Sequence, residues 1–151
     1  MTVPGVTFVG AGPGPPGLMT VRGLRALAEA HVVVYDAELP EALLDAVPPD
    51  AERIAVSGAA EGGVPPHAVP ALLVERARAG RSVVRLIRGD GGDAGREAAL
   101  VAQAEFPVDV VPGVSLGPLL VASFTAVKRG EIADFAAQDE AFELRAHART
   151  F

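Results

Sequence analysis

Short apolar runs rich in β-branched residues alternate along the chain with longer stretches rich in Ala, Leu and Arg. The short runs predict five strands, at residues 6–9, 31–35, 53–56, 82–87 and 108–111. The stretches between them predict helices, which lie after Thr20 and over residues 41–47, 68–79 and 95–104. Because strand and helix alternate, the sequence predicts an α/β fold with a doubly wound parallel sheet of about five strands.

The first predicted helix has the clearest local signals. Thr20 is a suitable N-cap, and Leu24, Leu27 and Ala28 recur at a spacing that places them on one face. We expect this face to pack on the sheet.

Glycine and proline are clustered rather than scattered along the chain. The clusters lie at residues 10–17, 62–66, 89–93 and 112–113, and three of them follow the first, fourth and fifth predicted strands. In parallel sheets, ligands bind outside the carboxyl ends of the strands. The clusters therefore predict ligand-binding loops at one edge of the sheet.

Composition and charge narrow the class of protein. With 151 residues, half of them hydrophobic, the chain is expected to form one principal domain. The absence of cysteine excludes disulfides, thiolate metal sites and cysteine nucleophiles. A net charge of −6 argues against nucleic-acid and anionic-membrane partners. No apolar run reaches the ~18 residues of a membrane-spanning helix, and no signal peptide is evident, so we expect a cytoplasmic protein.

The first glycine cluster allows a dinucleotide-binding interpretation, as in an oxidoreductase module. Gly10 and Gly12 follow a strand, and the next strand ends at the acidic Asp36. Pro15, however, occupies the place of the third glycine, and the prolines of this loop remove backbone donors that would bind pyrophosphate. The first loop therefore fits a dinucleotide phosphate poorly, and an oxidoreductase module is the third of three interpretations of this sequence.

Five motifs in order carry a resemblance to a known family. They read VGAGPG at 9–14, LMTVRGL at 18–24, AHVVVYD at 30–36, RSVVRL at 81–86 before Gly89-Asp90, and VVPGVS at 110–115. In this order the chain resembles the tetrapyrrole methylase family, and within it the uroporphyrinogen-III C-methyltransferases. The resemblance runs from about residue 5 to residue 118.

The resemblance implies a function, a cofactor and a set of site residues. Family members are two-domain α/β enzymes that bind S-adenosylmethionine, without a metal, and the branch resembled here methylates the small-molecule tetrapyrrole uroporphyrinogen III on the route to sirohaem and cobalamin. Asp36 falls on the proton acceptor proposed for the family. The positions that match cofactor-binding residues are Gly12, Pro13, Gly14, Gly89, Asp90 and Ser115.

The sequence also departs from the family pattern. Pro15 replaces an Asp, Ala37 replaces an Arg, and Gly58 replaces the Lys that is the proposed proton donor. We expect residues 1–118 to be equivalent to the family's N-terminal domain, residues 119–151 to form a helical extension or tail, and the family's second domain to be absent.

These features lead to two main expectations. The first is an S-adenosylmethionine-dependent C-methyltransferase of tetrapyrrole metabolism whose activity is reduced or absent when this chain acts alone. The alternative is a domain derived from the same family that binds a ligand or partner without turnover. Apolar surface left uncovered by a second domain would favour a homodimer.

Overall fold

The computed structural model describes residues 5–57 and 62–115. These residues belong to one compact unit, Met1–Ser115. Gly58 and the extension predicted for residues 119–151 lie outside the described residues.

Five parallel strands form the centre of this unit. Their bounds are β1 (Val6–Gly10), β2 (Val32–Asp36), β3 (Glu52–Val56), β4 (Val83–Ile87) and β5 (Val108–Val111). Their order across the sheet is β3-β2-β4-β1-β5. The register places Phe8 of β1 between Arg85 of β4 and Val110 of β5. The parallel α/β sheet predicted from the apolar runs is confirmed.

Three α-helices connect the strands. They are α1 (Val21–Ala28), α2 (Val69–Arg78) and α3 (Gly95–Gln103). Thr20 is the N-cap of α1, and its hydroxyl accepts a hydrogen bond from the Gly23 N–H at 3.0 Å. The helix predicted over residues 41–47 is instead a 3-10 helix, Glu41–Ala46, with Pro40 immediately before it. Because Pro48 and Pro49 cannot continue a helix, this connection is limited to a short 3-10 helix.

The helices cover both faces of the sheet. On one face, Leu27 of α1 and Leu43 of the 3-10 helix pack with Val33 and Val84. On the other, Leu73 of α2 and Val101 of α3 pack with a second set of strand residues that includes Phe8 and Val34. The chain thus leaves β1 along one face and β4 along the other, which makes the sheet doubly wound.

The face that α1 turns to the sheet differs from the prediction. Gly23 and Leu27 are buried, whereas Leu24 is 37% exposed and Ala28 is exposed. A Cβ at Gly23 would lie 3.1 Å from the Val9 Cγ1 atom, so the helix backbone lies close to β1 at this point. This approach rotates the buried stripe of α1 by one residue from the predicted one.

None of the helices in the described ranges is long and apolar enough to cross a membrane.

Candidate cofactor site and active site

The loops that follow β1, β4 and β5 meet at the carboxyl edge of the sheet. Gly12 and Gly89 exchange two backbone hydrogen bonds, of 2.9 and 3.1 Å, so the first two loops form a short antiparallel bridge. The Gly113 N–H donates to the Asp90 carbonyl at 3.0 Å, which joins the third loop to the second. The connections from β1 and β4 leave toward opposite faces, so these loops surround a topological switch point, where parallel sheets bind ligands.

Glycine is required where the backbones meet. A Cβ on Gly10 would lie 2.6 Å from the Gly113 nitrogen and 2.7 Å from the Asp90 carbonyl carbon. Gly89 has a φ of 77°, in the left-handed region that other residues adopt rarely. The clustering of glycine that marked these loops in the sequence therefore has a steric cause.

All six predicted cofactor-binding residues lie on these three loops. Gly12, Pro13 and Gly14 follow β1, Gly89 and Asp90 follow β4, and Ser115 follows β5. The structure brings the first two loops into direct contact, and a Cβ at Gly12 would lie 3.8 Å from the Val114 Cβ atom, next to Ser115. The Asp90 carboxylate accepts a hydrogen bond from the Gly92 N–H at 2.8 Å, which closes a local turn. Ser115 is exposed at the end of the described residues.

The predicted proton acceptor, Asp36, lies at the end of β2, and both its oxygens are engaged. Oδ1 lies 2.7 Å from the Arg85 guanidinium, and Oδ2 accepts a hydrogen bond from the Arg88 N–H at 3.1 Å. The Asp36 side chain is 25% exposed. These contacts fix the carboxylate while leaving part of it accessible from the cleft.

Arg85 is a site residue that the sequence analysis did not assign. It lies at the centre of the buried strand β4, and its side chain is 5% exposed. Glu97 of α3 approaches its other side, with Oε2 2.8 Å from Nε. Burial alone would lower the pKa of Arg85, but the hydrogen bonds to Glu97 and the charges of Asp36 and Glu97 raise it above its ordinary value. The charge of Arg85 within an apolar strand is the signal that could have indicated its ion pairs with Asp36 and Glu97, since buried charges need partners.

Asp36 and Arg85 border a cleft of about 440 Å³ between the loops after β2, β3 and β4. At its mouth, Arg88 and Glu38 form an ion pair of 2.9 Å in which both side chains are largely exposed. Gly58, the position that matches the family's lysine, lies outside the described residues. Among the residues that the structure describes, no group of three or more His, Asp or Glu is placed to hold a metal ion.

The family model of the Tetrapyrrole (Corrin/Porphyrin) Methylases matches residues 5–148 of the chain. The chain belongs to this family. A siroheme synthase of Neisseria meningitidis is 46% identical over 114 residues, which are 73% of this chain and 24% of the relative. Siroheme synthase 1 of Aeromonas hydrophila is 47% identical over 116 residues, with coverage of 73% and 25%. The chain thus spans about a quarter of the length of these curated relatives.

Solved structures of methyltransferases share the fold. A cobalt precorrin-4 methyltransferase superposes with a TM-score of 0.65 at 31% identity, over 73% of this chain and 46% of that chain. A uroporphyrin-III C-methyltransferase from Thermus thermophilus gives 0.63 at 37% identity, with coverage of 73% and 47%. A structure of a Thermus thermophilus uroporphyrin-III C-methyltransferase in complex with S-adenyl homocysteine gives 0.61 at 39% identity, with coverage of 73% and 45%.

The strand order argues against the dinucleotide-binding interpretation. In the dinucleotide-binding fold the first two strands are neighbours, in the order 3-2-1-4-5-6. In this tetrapyrrole methylase chain, β4 lies between β2 and β1. A 3-10 helix, Pro16–Leu18, also separates β1 from α1, so the first loop does not lead directly into a helix N-terminus.

Proposed function

We propose that this chain is the cofactor-binding part of an S-adenosylmethionine-dependent C-methyltransferase that acts on a tetrapyrrole of the uroporphyrinogen-III class. The observation that carries the proposal is the backbone junction of Gly12, Gly89 and Gly113 at the switch point of the sheet. The relative solved with S-adenyl homocysteine covers the part of the chain with this fold.

The loop residues are suited to S-adenosylmethionine at the backbone level. A Cβ built at Gly89 meets no atom within 4 Å, so space lies over this loop. Pro13 is half-buried beside the junction, and Gly14 adopts a φ of 128°. We assign cofactor binding to Gly12, Pro13, Gly14, Gly89, Asp90 and Ser115 on this basis.

Among the residues that the structure describes, Asp36 is suited to remove a proton. When bound, S-adenosylmethionine supplies an electrophilic methyl group on a sulfonium. Attack of a pyrrole carbon on this methyl group would release S-adenosylhomocysteine and leave a positive charge on the ring. Loss of a proton from another position of the macrocycle restores neutrality, and we assign an Asp36 oxygen as the acceptor of that proton. Arg85 and the Arg88 N–H hold the carboxylate at the edge of the cleft while this occurs.

The charges around the cleft favour reduced turnover by this chain. Its lining carries four carboxylates and two guanidiniums, from Asp36, Glu38, Asp93, Glu97, Arg85 and Arg88. A substrate with many carboxylates needs surrounding cations. The same observation supports the second candidate, a domain that binds a ligand without turnover.

A thermal-shift experiment tests the proposed cofactor site. S-adenosylhomocysteine at 100 times its Kd should stabilise the chain by about 2.7 kcal/mol, which raises the Tm by about 5 to 10 °C for a chain of this size. NAD and FAD should give no shift. If S-adenosylhomocysteine has no effect at millimolar concentration, the methyltransferase proposal fails. If it binds but no methyl group reaches uroporphyrinogen III, the domain without turnover is supported.

We also propose that the chain works in the cytoplasm and as a homodimer. The exposed apolar side chains Val21 and Leu24 on one helix support a surface that another copy can cover. Light scattering at micromolar concentration tests the dimer, and a monomeric mass would contradict it.

A further inference from the structure

Arg85 occupies a place in the sheet where an apolar side chain would be expected. The other members of its strand, Val83, Val84, Leu86 and Ile87, are buried hydrophobic residues. Arg85 itself lies between β2 and β1 in the pairing of the sheet, opposite Val34 and Phe8. A buried cation needs paired charges and hydrogen bonds to offset the loss of its hydration.

Two carboxylates from different elements meet this requirement. Glu97 of α3 forms hydrogen bonds of 2.8 Å to Nε and 3.3 Å to an Nη atom of Arg85. Asp36 of β2 lies 2.7 Å from the same terminal nitrogen, and the Leu86 carbonyl accepts a further bond of 3.0 Å. The planar guanidinium therefore donates in fixed directions to acceptors on three residues, an arrangement that a lysine ammonium does not offer.

The carboxylates of Glu97 and Asp36 differ in their other hydrogen-bond partners. Glu97 is held by both its oxygens to Arg85. Asp36 uses one oxygen for Arg85 and the other for the Arg88 N–H, in the loop that also carries Gly89. The contacts thus form a chain. Glu97 of α3 binds the buried Arg85 guanidinium, and Arg85 binds the Asp36 carboxylate. Asp36 in turn faces the cleft and accepts the Arg88 N–H of the loop after β4.

We propose that Arg85, held by Glu97, is a positioning residue that fixes the Asp36 carboxylate in the orientation in which it accepts the substrate proton. The role of Asp36 in this proposal rests on the proposed function, but the positioning itself does not. A salt bridge that served stability alone could be replaced by packed apolar side chains at little loss. A positioning pair cannot be replaced in this way, because the direction of the Asp36 oxygens depends on it.

Hydrogen exchange at the Arg88 amide reports directly on the position of Asp36, since this N–H donates to Oδ2. In Arg85→Lys we expect the Arg88 amide to exchange about tenfold faster, because the carboxylate loses its fixed partner. Glu97→Gln should change the rate in the same direction by a smaller factor, and it preserves the buried cation. Glu52→Gln is the matched control, because it makes the same change at the opposite end of the strands and should leave the Arg88 amide at its wild-type rate.

Each outcome of this experiment decides a part of the proposal. An unchanged Arg88 rate in Arg85→Lys overturns it, and an unchanged rate in Glu97→Gln removes Glu97 from it. A uniform rise in exchange across the sheet in both variants would show a structural role alone and would also overturn it.

Methyl transfer to uroporphyrinogen III supplies the second readout. In Arg85→Lys we expect kcat to fall by at least tenfold while the KM for S-adenosylmethionine stays within twofold. Arg85 contacts Asp36, Glu97 and the Leu86 carbonyl, and none of these groups is assigned to the cofactor. A rise in KM with unchanged kcat would overturn the positioning role in catalysis. If the wild-type chain shows no turnover, the catalytic part of the proposed function fails, and the exchange experiment still decides whether Arg85 positions Asp36.

Discussion

Gly10 and Gly113 lie so close that a Cβ on Gly113 would be 2.6 Å from the Gly10 carbonyl oxygen. The same Cβ would be 2.7 Å from the Gly89 carbonyl oxygen. Atoms at these distances overlap, and all of the atoms involved are backbone, so no side-chain rotation relieves the overlap. The loops after β1, β4 and β5 therefore depend on two glycines for their contact.

We predict that Gly113→Ala separates these loops. The variant should lose about 2 to 3 kcal/mol of stability and should bind S-adenosylhomocysteine at least tenfold more weakly, as measured by urea unfolding and calorimetry. Gly17→Ala is the matched control, because a Cβ at Gly17 meets no atom within 4 Å. Equal affinity in Gly113→Ala and wild type would show that the ligand does not need the junction.

The cap of α1 gives a second prediction. Thr20→Ala removes the oxygen that accepts the Gly23 N–H, so we expect a loss of about 1 kcal/mol in the free energy of unfolding. Thr20→Ser keeps the oxygen and should restore most of the stability. If the two variants are equally unstable, the hydroxyl is not the group that stabilises the helix start.

Two glycines at helix ends should respond in opposite directions to the same substitution. Gly80 follows α2 with a φ of 81°, so Gly80→Ala should destabilise the chain by about 1 kcal/mol. Gly95 begins α3 with a φ of −53° and open space around its Cβ position, so Gly95→Ala should stabilise by about 0.5 kcal/mol. Urea unfolding of both variants checks the pair, and a shift of the same sign in both would contradict the conformational explanation.

The apolar pattern was sufficient to predict the strands and the long helices. Strands β1, β2 and β4 consist mostly of buried apolar residues, whereas β3 and β5 each bury their last residue and leave the others at least partly exposed. The Gly and Pro clusters mark where the chain leaves the sheet. The order of the strands was not predicted, because pairing β1 with β4 depends on contacts between residues that are far apart in the chain. The 3-10 form of Glu41–Ala46 was also not predicted, since its apolar spacing is the same as that of an α-helix.

For the candidate site, the sequence predicted the loop residues and Asp36 but not the two residues, Arg85 and Glu97, that hold the Asp36 carboxylate in place. Gly12, Gly89 and Asp36 belong to motifs that are contiguous in the chain, so a resemblance could identify them. The partners Arg85 and Glu97 lie 12 positions apart on a strand and a helix. Their relation to Asp36 exists only once β2 and β4 are neighbours, which local patterns do not specify.

The ion pairs of Glu52 give the last prediction, which concerns pH. Hydrogen bonding from Arg76 is the main cause that holds the pKa of Glu52 below its ordinary value; burial opposes it, and the charges of Arg76 and Arg81 add to it. Because the pKa is lower in the folded state, the stabilisation is present above the unfolded-state value of about 4.3 and is lost as the pH falls through the folded value. Glu52→Gln should thus cost about 1 kcal/mol at pH 7 and progressively less toward pH 3. Glu75→Gln, which alters an exposed pair with the same arginine, should cost less than half as much at pH 7. Urea unfolding at both pH values measures the difference, and a cost for Glu52→Gln that does not change with pH would show that the ionised carboxylate is not its source.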